Sequence, residues 1–277
     1  MARFVPAFLA AALLLPSIAN GAELPVESFV SAIERAIDAN RLIQAGAMLN
    51  RTDVALATPQ RQRLEALLLL AQHRDAEALD RFDALLAQLP GDCRLQAGAG
   101  IAALRLGRMP EAEPKLLAAT AACPDRSEAW GALAVLEDKA GRWNRSTTAY
   151  SRAIALSADD PALLNNAGVS LLSQQRYGDA IRLFQQALLL DPADKRAKNN
   201  LDIARVANGE RPSFDGEEDS LRRAERLNNA GYAALLAGDD IAATGYFDEA
   251  IKINPFRFDT AETNLKSASD AAARATP

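Results

Sequence analysis

The 277-residue sequence has little of what metalloenzymes and other catalysts require. It contains one histidine, His73, and two cysteines, Cys93 and Cys123, which are too few for a cluster that holds a metal ion. The motifs HExxH, GxSxG and GxxxxGKS/T are missing, and no GxGxxG follows a strand. We therefore expect no catalytic residues, no metal site, no cofactor and no small-molecule substrate.

The sequence also lacks a concentration of positive charge. Its 31 lysines and arginines are outnumbered by 36 acidic residues, and the two kinds are interspersed, which gives a formal net charge of −5. Phosphate backbones are bound by concentrated basic faces, so a nucleic-acid partner is not expected.

Aromatic residues are scarce, at 5% of the sequence, and runs of β-branched residues are missing, whereas alanine is abundant. Such a composition argues against a sheet protein and is typical of an all-α fold. After the N-terminus, no apolar run approaches the ~18 residues of a membrane span.

The first residues have the pattern of a secretory signal peptide, which we place at residues 1–22. Arg3 supplies a positive start, residues 8–15 form a short apolar core, and small residues follow Pro16. An uncleaved N-terminal membrane helix is the alternative. Because no cysteine follows the apolar core, lipid attachment is not expected. The predicted location is periplasmic or secreted, without a stable membrane anchor after cleavage.

The middle of the sequence repeats with a period of 34 residues, in contiguous copies at 93–126, 127–160 and 161–194. A fourth copy begins at Ala224, and a weaker one lies upstream, where His73 replaces the glycine that three other copies carry at position 15. The copies share small residues at positions 8, 20 and 27, a bulky residue at 24 and, in most of them, proline at 32. In the third copy these residues are Gly168, Ala180, Ala187, Phe184 and Pro192.

This pattern resembles the tetratricopeptide repeat (TPR). The resemblance implies an all-α fold, a right-handed α-solenoid of helix–turn–helix hairpins, with about 13–14 helices in this chain. Small residues let helices A and B of a hairpin approach closely, the bulky residue fills the space between hairpins, and proline ends helix B. A single hairpin cannot bury its apolar face, so neighbouring repeats must stack.

The string NNAG occurs within residues 163–172 and again within 226–236, and the two copies are 63 residues apart rather than two full repeats. The reason is that residues 195–208 have the pattern of helix A alone, followed by an acidic, non-periodic segment at 209–220 that predicts a loop. Whether this loop is a hinge stays open.

The predicted domains are a signal peptide at 1–22, degenerate TPR-like helices at 23–92, a TPR array at 93–208 that ends in the half-repeat helix 195–208, the loop 209–220, a TPR at 221–257 and a C-terminal capping helix at 258–273.

The two cysteines, Cys93 and Cys123, occupy positions 1 and 31 of one repeat. In the antiparallel hairpin that the resemblance implies, these positions bring the start of helix A and the end of helix B together. A signal peptide also implies an oxidising compartment. We therefore predict a Cys93–Cys123 disulfide, and two buried thiols are the alternative.

Paired asparagines recur at positions 5 and 6 of helix A, which in TPR arrays line the concave surface. Amides can both donate to and accept from a peptide backbone, and the arrangement resembles the asparagine ladder in the TPR half of O-linked N-acetylglucosamine transferase. The alternative is that these asparagines bond neighbouring repeats. The predicted peptide-binding groove comprises Asn165, Asn166, Val169, Arg196, Asn199, Asn200, Ile203, Asn228, Asn229 and Tyr232.

Residues 165–172 and 197–210 also resemble segments of the TPR proteins of tight-adherence (Flp/Tad) pilus systems. This resemblance implies a non-catalytic scaffold that binds protein or peptide partners in the bacterial cell envelope, as an assembly factor of a pilus or secretion apparatus. The alternative function is a periplasmic accessory protein for polysaccharide export or cell-wall synthesis.

Overall fold

The structure is a computed structural model, and it describes residues 26–51, 56–212 and 219–275. These residues form fourteen α-helices and no strand, which confirms the predicted all-α fold. The predicted signal peptide at 1–22 lies outside the described residues, as does half of the predicted loop 209–220, namely residues 213–218. No helix in the described ranges is long and apolar enough to cross a membrane.

The chain divides into two compact units at residues 74 and 75. In the first unit, three helices pack on one another around Phe29, Ile33, Ala45 and Leu64, which are all buried. Phe29 and Ile33 lie one helical turn apart, so α1 presents a continuous apolar stripe to the other two helices. The helices are α1 (Val26–Asp38), α2 (Leu42–Leu49) and α3 (Thr58–Ala71).

The second unit is a stack of helical hairpins that follows the 34-residue period. Each A helix that is followed by a B helix packs against it, and successive A helices also contact one another. The B helices are α4 (Asp75–Leu86), α6 (Met109–Ala122), α8 (Trp143–Leu156), α10 (Tyr177–Leu190) and α13 (Asp240–Ile253). The A helices are α5 (Cys93–Arg105), α7 (Ser127–Lys139), α9 (Pro161–Ser173), α11 (Lys195–Ala207), α12 (Ser220–Leu236) and α14 (Asp259–Ala275).

In the α9–α10 and α12–α13 hairpins, a small residue and a bulky ring fit together inside the hairpin, whereas the repeat pattern predicted the bulky residue between hairpins. Phe184 is fully buried, and its ring lies over Gly168, where an added Cβ would come within 2.6 Å of a ring carbon. The same pairing joins Phe247 to Gly231. Glycine at position 8 is therefore a packing residue, since it makes room for the ring at position 24.

The turn after helix A has one backbone conformation in every repeat, whatever residue occupies position 15. Glycines take a positive φ there in several copies, but Gln175 (φ 59°) and His73 (φ 58°) adopt the same left-handed conformation without being glycine. Asn40, in the corresponding turn between α1 and α2, has φ 54°. The repeat geometry thus imposes this conformation on side chains that disfavour it.

Aspartates begin several of the A helices. The side chains of Asp92, Asp160 and Asp194, one position before the repeat, accept hydrogen bonds from two backbone N–H groups of the first turn. These contacts satisfy donors that have no partner within the helix, and they place a negative charge at its positive end.

The residues of the predicted half-repeat helix 195–208 form α11, Lys195–Ala207. Helix α11 has no B helix of its own within the described residues, and α12 packs directly on it. Arg226 of α12 forms an ion pair with Asp202 of α11 at 3.3 Å, and the Tyr177 hydroxyl of α10 donates to the Leu236 carbonyl of α12 at 2.9 Å. Two A helices therefore lie side by side at this junction, where a complete repeat would contribute a B helix.

The predicted disulfide joins Cys93 at the start of α5 to Cys123 just after α6, with the two Cα atoms 5.9 Å apart. It closes the open end of one hairpin, opposite the turn at Gly107. The antiparallel pairing of the two helices brings these positions together.

Candidate partner-binding face

The A helices of the second unit form one face, which we call the A-helix face. It carries the paired asparagines in an amide ladder. Asn200 donates from Nδ2 to Oδ1 of Asn165 at 2.9 Å, and Asn229 donates to Asn199 at 2.6 Å. A third bond runs from Asn264 to Asn228 at 3.0 Å. Each hydrogen bond of this ladder connects two neighbouring A helices. The connected pairs are α9 and α11, α11 and α12, and α12 and α14.

The ladder has a direction. In all three pairs the first asparagine accepts from the following helix, and in the pairs 199/200 and 228/229 the second asparagine donates to the preceding helix. The bonds between neighbouring repeats, left open as an alternative by the sequence, are therefore present. They use one donor or one acceptor of each amide, so donors and acceptors remain for a peptide backbone. Peptide contact by these side chains stays a prediction.

Asn166 is the free end of the ladder. Its side chain is exposed, whereas its neighbour Asn165 is buried at 5% exposure. The preceding helix has Gly131 at the position that would accept a bond from Asn166, so no acceptor side chain is available there. Within the described part of the chain, the Asn166 amide has no hydrogen-bond partner. It is therefore the asparagine of the predicted groove that is most available to another molecule.

An apolar stripe runs beside the ladder, formed by position 9 of successive A helices. Val169 is 39% exposed and Tyr232 is 50% exposed, while Ile203 between them is half-buried. Large apolar side chains with this much exposure are candidates for contact with another protein. The structure thus brings these three predicted groove residues together on one face.

Arg196 lies apart from this stripe, in the first turn of α11. Its side chain is 76% exposed, and its guanidinium is 3.7 Å from the carboxylate of Asp194. An exposed pair of this kind contributes little to stability, so Arg196 can turn toward another molecule at small cost.

A recess that was not predicted from the sequence lies at the N-terminal end of the face. It has a volume of about 440 Å³ and lies between α5, α7 and α9, so we call it the α5–α9 recess. Gly131 and Ala132 stand where later A helices carry asparagine, and their small side chains leave the space open. The residues that line it are Ile101, Leu104, Arg105, Ser127, Glu128, Gly131, Ala132, Val135, Lys139, Asp160, Ala162, Leu163 and Asn166.

Polar side chains replace apolar ones at a single inter-repeat interface behind the recess. Asp138 accepts hydrogen bonds from Ser146 and, at 2.7 Å, from Ser170, and all three lie where other repeats have apolar or alanine side chains. Burial, and then the negative charge and hydrogen bonding of Asp138, raise the pKa of Tyr150. This phenol therefore stays protonated, and the cluster is internally satisfied, which favours a structural role.

The carboxylate of Glu137 is 1% exposed and lies between two arginines. It is paired with Arg142 and, at 2.8 Å, with Arg145, while Arg142 also reaches Glu113 at 2.8 Å. The hydrogen bond to Glu137 is the main influence that raises the pKa of Arg142, against an opposing effect of desolvation. These pairs tie α6, α7 and α8 together.

Sequence reasoning missed two parts of this face. Asn264 belongs to the ladder, and the similarity of the segments AETNL and AKNNL was the signal for it. The recess had no positive signal, because the small size of Gly131 and Ala132 leaves the space open. In the described ranges, no three His, Cys, Asp or Glu side chains are grouped so that they could hold a metal ion.

Sequence models described as tetratricopeptide repeat match residues 161–194, and further ones match 63–127 and 98–161. A comparison with curated proteins finds no match. Together, the matched segments cover the hairpins whose packing is described above, with the exception of the last one.

Solved structures resemble this fold at low sequence identity. A chain of the APC/C heterotetramer Cut9–Hcn1 is 17% identical, with a TM-score of 0.57 over 86% of this chain and 48% of that one. PilF of Pseudomonas aeruginosa is 13% identical, with a TM-score of 0.50 over 88% of this chain and 96% of that one. YrrB, described as a TPR protein with an unusual peptide-binding site, is 18% identical, with a TM-score of 0.45 over 86% and 99%. At these identities the likeness concerns the fold alone. Residues 63–194 therefore match tetratricopeptide repeat models, and the chain has an all-helical fold similar to that of tetratricopeptide repeat structures.

Proposed function

We propose that this protein is a non-catalytic scaffold that binds protein or peptide partners on the A-helix face, as an assembly factor of a pilus or secretion apparatus in the bacterial cell envelope. The observation that carries the binding proposal is the combination of the amide ladder with the exposed stripe of Val169, Ile203 and Tyr232. The amides hydrogen-bond to the backbone of a bound segment, and the apolar stripe contacts the apolar side chains of that segment.

The finer parts of the proposal rest on the sequence. The envelope location depends on the signal-peptide pattern at residues 1–22, and the pilus assignment depends on the resemblance of residues 165–172 and 197–210 to Flp/Tad TPR proteins. The fold likeness to PilF is compatible with this assignment and adds no evidence about partners.

An affinity pull-down from an envelope fraction tests the binding face. We compare the wild type with the double variant Val169→Ala/Tyr232→Ala, whose side chains are exposed and contribute little to folding. The matched control is Leu189→Ala/Ile241→Ala, which removes apolar side chains that are 82% and 84% exposed on B helices. We expect the stripe variant to lose a partner that the control variant retains. Equal recovery by both variants would place the partner elsewhere on the molecule.

The location has its own test. The full chain is produced in a Gram-negative host, cells are fractionated, and the mass of the protein in the periplasmic fraction is measured. We expect a periplasmic species that lacks about the first 22 residues. Recovery of the intact chain in the cytoplasmic fraction would contradict the envelope proposal, and the intact chain in the membrane fraction would favour the uncleaved helix. A partner recovered from polysaccharide-export or cell-wall machinery would favour that alternative over a pilus or secretion apparatus.

A further inference from the structure

We propose that the α5–α9 recess binds an extended peptide segment with three features: a large apolar side chain in the middle, an acidic residue toward Lys139 and a basic residue toward Glu128. The proposal rests on the proposed function of the A-helix face and names a subsite of it together with the chemistry of its occupant.

The floor of the recess is apolar and deep enough for a large side chain. Ile101 and Val135 are half-buried on its walls, and Leu163 is buried beneath Gly131, from whose Cβ position it would be 3.3 Å away. The volume of about 440 Å³ falls within the usual range of ~300–1,000 Å³ for ligand pockets. A leucine or an aromatic side chain of a bound peptide would cover this surface and remove it from water.

Asn166 at the edge of the recess determines the form of the occupant. Its exposed amide offers a donor and an acceptor, and neither is used by the ladder. The backbone groups of a helix interior already bond one another, whereas an extended segment leaves its N–H and C=O groups free. The free amide thus favours an extended segment over a helix.

Two charges fix the orientation of that segment. Glu128 in the first turn of α7 and Lys139 in its last turn both line the recess, and both side chains are exposed. Within the described ranges neither forms an ion pair, whereas Arg105 on the same rim is paired with Asp75 at 3.4 Å. Glu128 and Lys139 are eleven positions apart, which corresponds to about 16 Å along the helix axis. An extended chain covers this distance in about five residues.

The occupant is therefore a short stretch with charges of opposite sign about five residues apart and one large apolar residue between them. An acidic residue near Lys139 and a basic residue near Glu128 would each gain a partner. The opposite orientation would place like charges together at both ends, which is unfavourable.

The experiment selects binders to the full chain from a displayed library of random twelve-residue peptides. Recovered peptides are then measured for affinity against the variant Ala132→Leu, which fills the recess. Ala155→Leu, an exposed alanine-to-leucine change on α8, is the matched control. We expect Ala132→Leu to weaken binding by at least about tenfold and the control to leave it unchanged. Thermal midpoints of both variants are measured to show that each is folded.

A second arm tests the charges and the amide. Against the double reversal Glu128→Lys/Lys139→Glu, we expect the selected peptides to lose about fivefold in affinity and peptides with their two charges exchanged to regain it. Asn166→Ala should weaken binding about fivefold without changing the thermal midpoint.

The outcomes separate this proposal from the proposed function. Peptides that bind the wild type and Ala132→Leu equally, but are lost on Tyr232→Ala, would overturn the recess proposal and support the A-helix face. If Ala132→Leu weakens binding but Glu128→Lys/Lys139→Glu does not, the assignment of one acidic and one basic residue to the occupant is wrong. If no peptide is selected, the recess proposal fails, and the pull-down with envelope material decides the proposed function independently.

Discussion

At the scale of single residues, position 15 of the repeat shows backbone geometry overriding side-chain preference. Gln175 and Gly141 occupy the same turn in successive repeats, with φ of 59° and 68°. An L side chain in the left-handed region costs roughly 1 kcal/mol, which glycine does not incur. The repeat retains glutamine here because hairpin packing fixes the turn.

This comparison gives a reciprocal prediction. We expect Gln175→Gly to raise the free energy of unfolding by up to about 1 kcal/mol and Gly141→Gln to lower it by about the same amount, since a Cβ at Gly141 would meet no atom within 4 Å. Urea denaturation followed by circular dichroism measures both changes. A loss of stability in Gln175→Gly would mean that the glutamine side chain makes a contact that outweighs the strain.

Glycine at position 8 illustrates a different constraint. We expect Gly168→Ala to lower the free energy of unfolding by about 1–3 kcal/mol, because the new methyl group would collide with the buried Phe184 ring. Gly178→Ala is the matched control, since its Cβ meets nothing and alanine favours the helix by about 0.5–1 kcal/mol. Combining Gly168→Ala with Phe184→Leu should recover part of the loss, and strict additivity of the two changes would argue against the collision.

At the scale of helices and hairpins, the disulfide is local, because it connects the two ends of the α5–α6 hairpin. A cross-link between residues 30 apart restricts the unfolded chain, and on the chain-entropy model it contributes about 3 kcal/mol. The cross-link does not connect different repeats, so its effect should be concentrated in one hairpin.

We expect no free thiol in the oxidised protein unfolded in denaturant, and we expect Cys93→Ala/Cys123→Ala to lower the thermal midpoint. Native-state hydrogen exchange should show faster opening of α5 and α6 than of α9 and α10 in this variant. Two titratable thiols in the unreduced protein would show that the cysteines are not bonded, and uniform loosening of all helices would contradict a local effect.

The period of 34 residues made the hairpins and their order predictable, because small, aromatic and proline residues recur at positions that only one packing satisfies. The missing B helix after α11 followed from the same frame, since residues 209–220 break the pattern. Left-handed turns at His73 and Gln175 also follow from the frame, although the residue types alone argue against them.

The candidate site was predictable only in part. Asparagine pairs at positions 5 and 6 placed amides on the A-helix face, but their mutual bonds depend on the spacing between successive A helices. That spacing is set by buried alanines such as Ala167 and Ala197, and the sequence does not specify it to within a hydrogen-bond length. The recess was not predicted, because Gly131 and Ala132 contribute to it only by their small size, which leaves the space open.

At the scale of the whole repeat array, stability is the sum of contributions from single hairpins and from the interfaces between neighbours. The amide ladder belongs to the second kind, since its bonds join α9 to α11, α11 to α12 and α12 to α14. It continues from α11 to α12, between which the described residues form no B helix, and there the Asn229–Asn199 bond joins the two A helices directly.

The ladder and its free end should therefore respond differently to the same substitution. We expect Asn200→Ala to lower the free energy of unfolding by about 1–2 kcal/mol, because the buried carbonyl of Asn165 loses its donor. Asn166→Ala, one repeat earlier at the equivalent position, should stay within about 0.5 kcal/mol of the wild type, since its exposed amide has no partner among the described residues. Urea unfolding of the two variants, with hydrogen exchange in α9 and α11, measures the difference. If both variants lost equal stability, Asn166 would have to be bonded within the folded chain, and it could not serve as the free end that a partner's backbone occupies.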